Sequence, residues 1–326
     1  MSYCLNPKCK HPEDTLNHNN NFCRHCGSVL ILQEGYKVIK PLNKGGFGRT
    51  FEITNGQENK VLKILLKNKT KLVTLFKREA EVLATLRHPG IPRVEKNGYF
   101  VFFPRNSDKP LHCLIMEKIA GVNLQQWLKQ TDNQAISQEL AIDWLNQLLE
   151  ILDQIHKKKY FHRDIKPSNI MLRPSGQLVL IDFGGVRKIT DTYVHKLAAD
   201  KITGFVSHGY TPAEQIEGRA VPQSDFFALG RSFVYLLTGK YPLDFPIEPQ
   251  SGKLVWRDQA PQITSLMGGL INYLMAPFPQ KRPQNIQEIK KCLSEIEPTI
   301  NKTPFPNSPT YYSGLPTMPV KNVGND

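Results

Sequence analysis

Asp164, Lys166, Asn169 and Asp182 are four side chains whose types and spacing suit one chemistry. They lie in Phe161-His162-Arg163-Asp164-Ile165-Lys166-Pro167-Ser168-Asn169 and, thirteen residues on, Asp182-Phe183-Gly184. Asp164 can accept a proton from an attacking hydroxyl, and Lys166 can neutralise charge on a phosphoryl group in flight. Asn169 and Asp182 offer two hard oxygen ligands for magnesium. Such a set needs a rigid mount. The run Gln177-Leu178-Val179-Leu180-Ile181 reads as a short buried strand that would fix the Asp182 carboxylate. Either triplet alone is weak, because each also occurs as a turn with a solvated salt bridge. Both together, in this order and spacing, carry far more weight.

These residues resemble the catalytic loop and magnesium motif of eukaryotic-type (Hanks-type) serine/threonine protein kinases. The resemblance implies an α+β, bilobal protein kinase fold. A β-rich N-lobe would span about 35–116 and a helical C-lobe about 117–297. ATP and Mg2+ would be the cofactors, and protein serine or threonine hydroxyls the substrates. It also gives roles to residues along the chain. Leu42-Asn43-Lys44-Gly45-Gly46-Phe47-Gly48 resembles the glycine-rich loop, with Leu42, Gly45, Gly46, Phe47 and Gly48 toward the nucleotide. Asn43 stands where the first glycine is expected; asparagine tolerates unusual backbone angles better than most residues. Lys63, set in Val61-Leu62-Lys63-Ile64, matches the lysine on the α- and β-phosphates, with Lys60 and Lys67 as competitors.

Residues 71–86 place Leu72, Leu75, Phe76, Leu83 and Leu86 at helical spacing, closed by His88-Pro89. The resemblance selects Glu79 over Glu81 as the partner of Lys63. Met116 would sit at the back of the adenine pocket, and the backbone of Glu117 to Ile119 would bond adenine. Ser137 can cap a helix running to about Ile155, whose apolar stripe is core. Lys157-Lys158-Lys159 suits that helix's C-terminal dipole. Ser207 would bridge Asp164 and Lys166. Thr203 would be an activating phosphosite held by Arg163, against Thr190 and Thr192. Glu214, in a Pro-Ala-Glu order that inverts the usual Ala-Pro, would pair with Arg282, and Asp225 would hold the catalytic-loop backbone. These last three are structural.

Residues 1–32 carry Cys4, Cys9, Cys23 and Cys26, the second pair followed by Gly27. Paired thiolates on either side of a short loop suit tetrahedral zinc, with His11, His18 and His25 as spare ligands. The segment is polar and asparagine-rich, so a metal would supply most of its folding energy. A redox-active or free thiol cluster is the alternative. The arrangement resembles the four-cysteine motif ahead of the kinase domain in many cyanobacterial serine/threonine kinases, which implies a zinc-ribbon-like segment.

The net charge is +13 over 326 residues, and +10 of it falls in residues 35–116. Lysines on a solvated surface and a few facing phosphates account for this, so no nucleic-acid partner is expected. No apolar run reaches the roughly 18 residues a membrane helix needs, no signal peptide opens the chain, and a cytoplasmic location follows. Residues 298–326 read as a Pro/Asn/Ser-rich disordered tail. An ATP-binding pseudokinase scaffold is the alternative function, supported only by Asn43 and the inverted Pro-Ala-Glu.

Overall fold

The computed structural model describes residues 2–44, 48–188 and 206–296. Gly45, Gly46, Phe47, Thr190, Thr192, Thr203 and the predicted tail lie outside them. Five antiparallel strands form the first layer: β1 (Lys37–Lys44), β2 (Gly48–Thr54), β3 (Asn59–Leu65), β4 (Tyr99–Phe102) and β5 (Leu111–Glu117). Their order is β1-β2-β3-β5-β4, with bulges in β1 between Val38 and Lys40 and between Pro41 and Asn43.

Side chains alternate across a strand, so each strand feeds two faces. On β3, Lys63 and Leu65 point to helix α1 (Thr70–Thr85), while Leu62 and Ile64 point away from it. On β5 the same split separates Leu114 and Met116 from Cys113 and Ile115. Helix α1 buries Leu72, Phe76, Glu79, Ala80, Val82 and Leu83. Leu72, Phe76 and Leu83 belong to the apolar stripe that the sequence predicts, Ala80 and Val82 extend it, Leu75 is only half-buried, and Glu79 is the polar exception.

Residues 2–32 lie on the far face of the sheet. Tyr3, Leu5 and Leu32 join Phe51, Leu62 and Ile64 in one buried cluster. The sheet is therefore covered on both sides.

The second lobe is helical: α2 (Leu124–Gln130), α3 (Gln138–Lys157), α4 (Ala213–Ile216), α5 (Pro222–Thr238), α6 (Ser265–Leu274) and α7 (Ile286–Ile296). Ser137 caps α3, its hydroxyl accepting from Leu140 N–H at 3.2 Å. The helix buries Trp144, Leu145, Leu148, Leu152 and Ile155 on one face. At about 1.5–3 kcal/mol per buried apolar side chain, this face anchors the lobe. Nearly all of α5 is buried. It packs between α3 and α6 beneath the loop that carries Asp164. That loop is framed by β6 (Val122–Asn123), β7 (Tyr160–Phe161), β8 (Ile170–Leu172), β9 (Leu178–Leu180) and β10 (Arg187–Lys188), with β8 pairing β6 and β9, and β7 pairing β10. No described helix is long and apolar enough to cross a membrane.

Candidate active site

Lys63 Nζ lies 2.6 and 2.8 Å from the two oxygens of Glu79 and 2.8 Å from Asp182 Oδ1. Strand β3, helix α1 and the end of β9 thus meet at one ammonium group. Glu79 is 2% exposed, whereas Glu81 points to solvent. Lys60 is paired with Glu58 instead. Burial would lower the Lys63 pKa, but the carboxylates of Asp182 and Glu79 raise it well above the ordinary lysine value. The same Lys63 charge holds the Asp182 carboxyl down at about 2. Burial pushes Glu79 up despite Lys63. Gly184 borders this cluster: a Cβ there would make ordinary contacts, at 3.4–3.5 Å, with Asp182, Glu79 and Lys63 side-chain atoms.

The loop over residues 161–169 converges on the Asp164 carboxylate. Lys166 Nζ approaches its oxygens at 3.0 and 2.9 Å, and Asn169 Nδ2 donates to Asp164 Oδ2 at 2.8 Å. Ser207 Oγ donates to Asp164 Oδ1 at 2.7 Å and receives Lys166 at 2.8 Å. Ile181 N–H donates to Asn169 O at 2.8 Å, which fixes Asp182 beside Asn169. With Nδ2 spent on Asp164, Asn169 has its Oδ1 to offer a ligand.

This loop is held under strain. Arg163 sits at φ +71 and Asp182 at φ +63, the left-handed region that L side chains avoid. Asp225, on buried helix α5, grips the first of these: its two oxygens accept from His162 N–H and Arg163 N–H at 2.8 Å each. His156 Nε2 meets Asp225 Oδ2 at 2.9 Å. Burial would raise the Asp225 pKa, but His156 and these backbone donors keep it below the ordinary value. Gln215 Nε2 donates to Arg163 O at 2.7 Å. The His162 ring stands edge-on to Phe183 at 4.8 Å, seating the Asp182-Phe183-Gly184 turn on the catalytic loop.

Of the residues predicted for the nucleotide, the structure describes six. Leu42 is exposed on β1; Gly48 opens β2, where a Cβ would come within 2.3 Å of Ile64 O. Lys63 is described above. Met116 pairs with Val61 on β5 and is half-buried, as are Glu117 and Ile119 after it. Glu117 spends its amide on Arg93 O at 2.8 Å and its carboxylate on Arg173 at 2.6 Å. Farther off, Arg282 is 1% exposed and meets Glu214 at 2.7 Å. Its guanidinium lies 4.8 Å above the Phe227 ring.

A protein kinase domain model matches residues 36–300. The chain belongs to the protein kinase family. Among relatives, this kinase chain is 33% identical to serine/threonine-protein kinase B of Synechocystis over 309 residues, 90% of this chain and 52% of that protein. It is 34% identical to serine/threonine-protein kinase PknA of Nostoc over 276 residues, 81% of this chain and 47% of that one. Serine/threonine-protein kinase C of Synechocystis is 30% identical over 317 residues, 91% and 57%. The chain spans about half the length of the curated relatives it matches.

Ahead of the kinase domain, Cys4, Cys9, Cys23 and Cys26 bring their Sγ atoms within 4.8 Å of one another, a set able to hold one metal ion. Cys4 and Cys26 are 3.5 Å apart, Cys9 and Cys23 3.7 Å. The unusual four-residue spacing of the first pair is taken up by Asn6, whose Oδ1 accepts from Lys8 N–H and whose carbonyl accepts from Cys9 N–H. Gly27, at φ +66, turns the second pair back, its N–H donating to Cys23 O. His11 and His25 lie with their rings 4.6 Å apart and tilted by 45° outside the cluster, and His25 bonds Asp14. Burial pushes the Cys4 and Cys9 thiols up, Cys9 to about 11.

Four contributors of the kinase site escape sequence reasoning. His156, Gln215, His162 and Arg173 act through contacts 69, 52, 21 and 56 residues away. Such separations leave no local periodicity to detect.

Proposed function

We propose that the chain is a magnesium- and ATP-dependent protein serine/threonine kinase, working in the cytoplasm on protein substrates and on itself. The observation that carries this reading is a pair of side-chain clusters, Lys63 with Glu79 and Asp182, and Asp164 with Lys166, Asn169 and Ser207, linked where Ile181 N–H bonds Asn169 O. Phosphoryl transfer is accelerated chiefly by positioning and charge stabilisation, and each needed part has a residue here. That completeness argues against the scaffold alternative. The names of the relatives support the serine/threonine class.

In this reading Lys63, oriented by Glu79, neutralises phosphate charge. The glycine-rich stretch is assigned to the phosphates from its sequence (Leu42, Gly45, Gly46, Phe47 and Gly48, of which Gly45, Gly46 and Phe47 lie outside the described residues), and Met116, Glu117 and Ile119 are assigned to adenine. Asp182 and Asn169 Oδ1 are hard oxygen donors of the type magnesium takes, and a carboxylate held at about pKa 2 is anionic at any working pH. Magnesium supplies neutralisation of phosphate charge. Asp164 orients the acceptor hydroxyl and takes its proton, and Lys166 steadies the charge that develops on the transferred group. Ser207, bonded to both, places a hydroxyl where a serine or threonine acceptor is favoured over tyrosine. Arg163, with its Nε unpartnered among the described residues, would receive a phosphate on Thr203.

For the cysteines we read zinc. A tetrahedral site with Zn–S near 2.3 Å has sulfur–sulfur edges of about 3.8 Å, and the observed 3.5 and 3.7 Å separations fit it. Incubation with γ-labelled ATP, magnesium and a generic basic protein tests the function. Label on serine and threonine alone supports the reading, and label on tyrosine or none refutes it.

A further inference from the structure

Lys63 faces α1, but its chain neighbours Leu62 and Ile64 face the opposite side, into a cluster closed by Tyr3, Leu5 and Leu32. The segment carrying the cysteines is therefore the second cover of the very strand that presents Lys63. It is tied down as well as packed. Tyr3 N–H donates to Val38 O at 2.7 Å, and its ring lies 5.3 Å from that of Phe51. Asn6 Nδ2 donates to Ser28 Oγ and to Arg105 O, both at 3.0 Å, and Arg105 N–H donates to Ser28 Oγ at 3.0 Å. The Arg105 side chain rests on Gly27, where a Cβ would come within 2.2 Å of its guanidinium. Gly27 follows Cys26, so a cation from the loop between β4 and β5 rests on the residue next to a cysteine of the cluster. Four thiolates around one divalent ion carry net negative charge, which this guanidinium complements.

The segment's own core is Cys4, Cys23 and Leu30, with Cys9 and Cys26 packed on it. That is too little apolar surface to fold about 30 residues unaided. If the metal supplies the missing stabilisation, an empty segment would lose its folded form and the Leu62–Ile64 face of β3 would open to water. Two states follow, a loaded segment seated on the sheet and an empty one released from it. Only the first holds β3 between two covers.

We infer that metal binding at the cysteines and nucleotide binding in the cleft are coupled through β3, each tightening the other. The coupling rests on the kinase reading above, and it assigns the cysteine segment the role of a brace on the N-lobe. Linkage of this kind is reciprocal, so the nucleotide must raise metal affinity by the factor that the metal raises nucleotide affinity.

The test uses the full chain loaded with zinc. Zinc affinity is measured by competition with a chromogenic chelator, with and without a non-hydrolysable ATP analogue plus magnesium, and nucleotide binding is followed by calorimetry on the same samples. Zinc affinity is expected to rise at least about fivefold with nucleotide. Tyr3→Ala and, on the separate loop, Arg105→Ala keep all four cysteines and should bring that ratio toward unity. Unchanged zinc affinity while nucleotide binds overturns the coupling and leaves the kinase reading intact. Ratios in both variants equal to the wild-type ratio overturn the brace. A chain that takes up no zinc overturns it as well. A zinc-loaded chain that binds no nucleotide overturns the coupling and the kinase reading together.

Discussion

The ammonium of Lys63 sits 2.8 Å from Asp182 Oδ1, across 119 residues of sequence, and it keeps that carboxyl ionised down to about pH 2. A carboxyl whose folded pKa is depressed contributes stability above its unfolded value, and that contribution fades as pH falls through the folded value. For Asp182 the window runs from its ordinary 3.8 down to about 2. Lys63→Met is expected to destabilise the protein at pH 7, and the deficit should shrink as pH falls across this window. Urea unfolding of both proteins at pH 7 and pH 2.5 checks it; a deficit that is equal or larger at pH 2.5 counts against the pairing.

Asp225 holds two backbone N–H groups of a loop whose Arg163 is in the left-handed region. Asp225→Asn leaves at least one buried donor facing an amide, at a cost of about 2 kcal/mol. The melting temperature should fall, and turnover should fall with it because the loop carries Asp164. A variant with wild-type melting and turnover would remove Asp225 from its place as the mount.

Arg282 and Glu214 form a pair in which the arginine has almost no access to water. Removing one partner of a buried pair costs roughly 3–5 kcal/mol, because the other is left uncompensated. Arg282→Met should be destabilising on this scale, and adding Glu214→Gln should recover part of the loss. Strictly additive losses in the double-mutant cycle would show that the two do not interact.

Thr203→Ala should lower activity by about ten- to hundredfold, the loss of one charge-assisted bond to a phosphate at about 1.5–3 kcal/mol. Steady-state turnover of the autophosphorylated protein and the variant measures it. Undiminished turnover assigns the phosphate to another hydroxyl or to none.

The helices are legible in the chain because their signals are local. Ser137 caps α3, and the period of Leu72, Phe76 and Leu83 places α1 within a residue of its observed bounds. The kinase fold follows from the order of its motifs, which the family match to residues 36–300 establishes. The residue types of the site are equally plain at Asp164, Asn169 and Asp182. Their mounting is not. Nothing near Asp225 announces His156, and nothing near Arg163 announces Gln215, because each contact closes only after the lobe has packed. The cysteine segment illustrates the same limit. Its composition argues that it needs a metal, while its seat on the sheet depends on Tyr3, Leu5 and Leu32, three apolar residues with no periodicity around them.

Asp164→Asn tests the central claim most directly, since the substitution keeps the side chain's size and removes the charge that accepts the proton. With magnesium, ATP and a serine- or threonine-bearing protein, kcat should fall by about 10²–10⁴-fold while nucleotide affinity is retained. Phosphate incorporation equal to wild type would contradict the account.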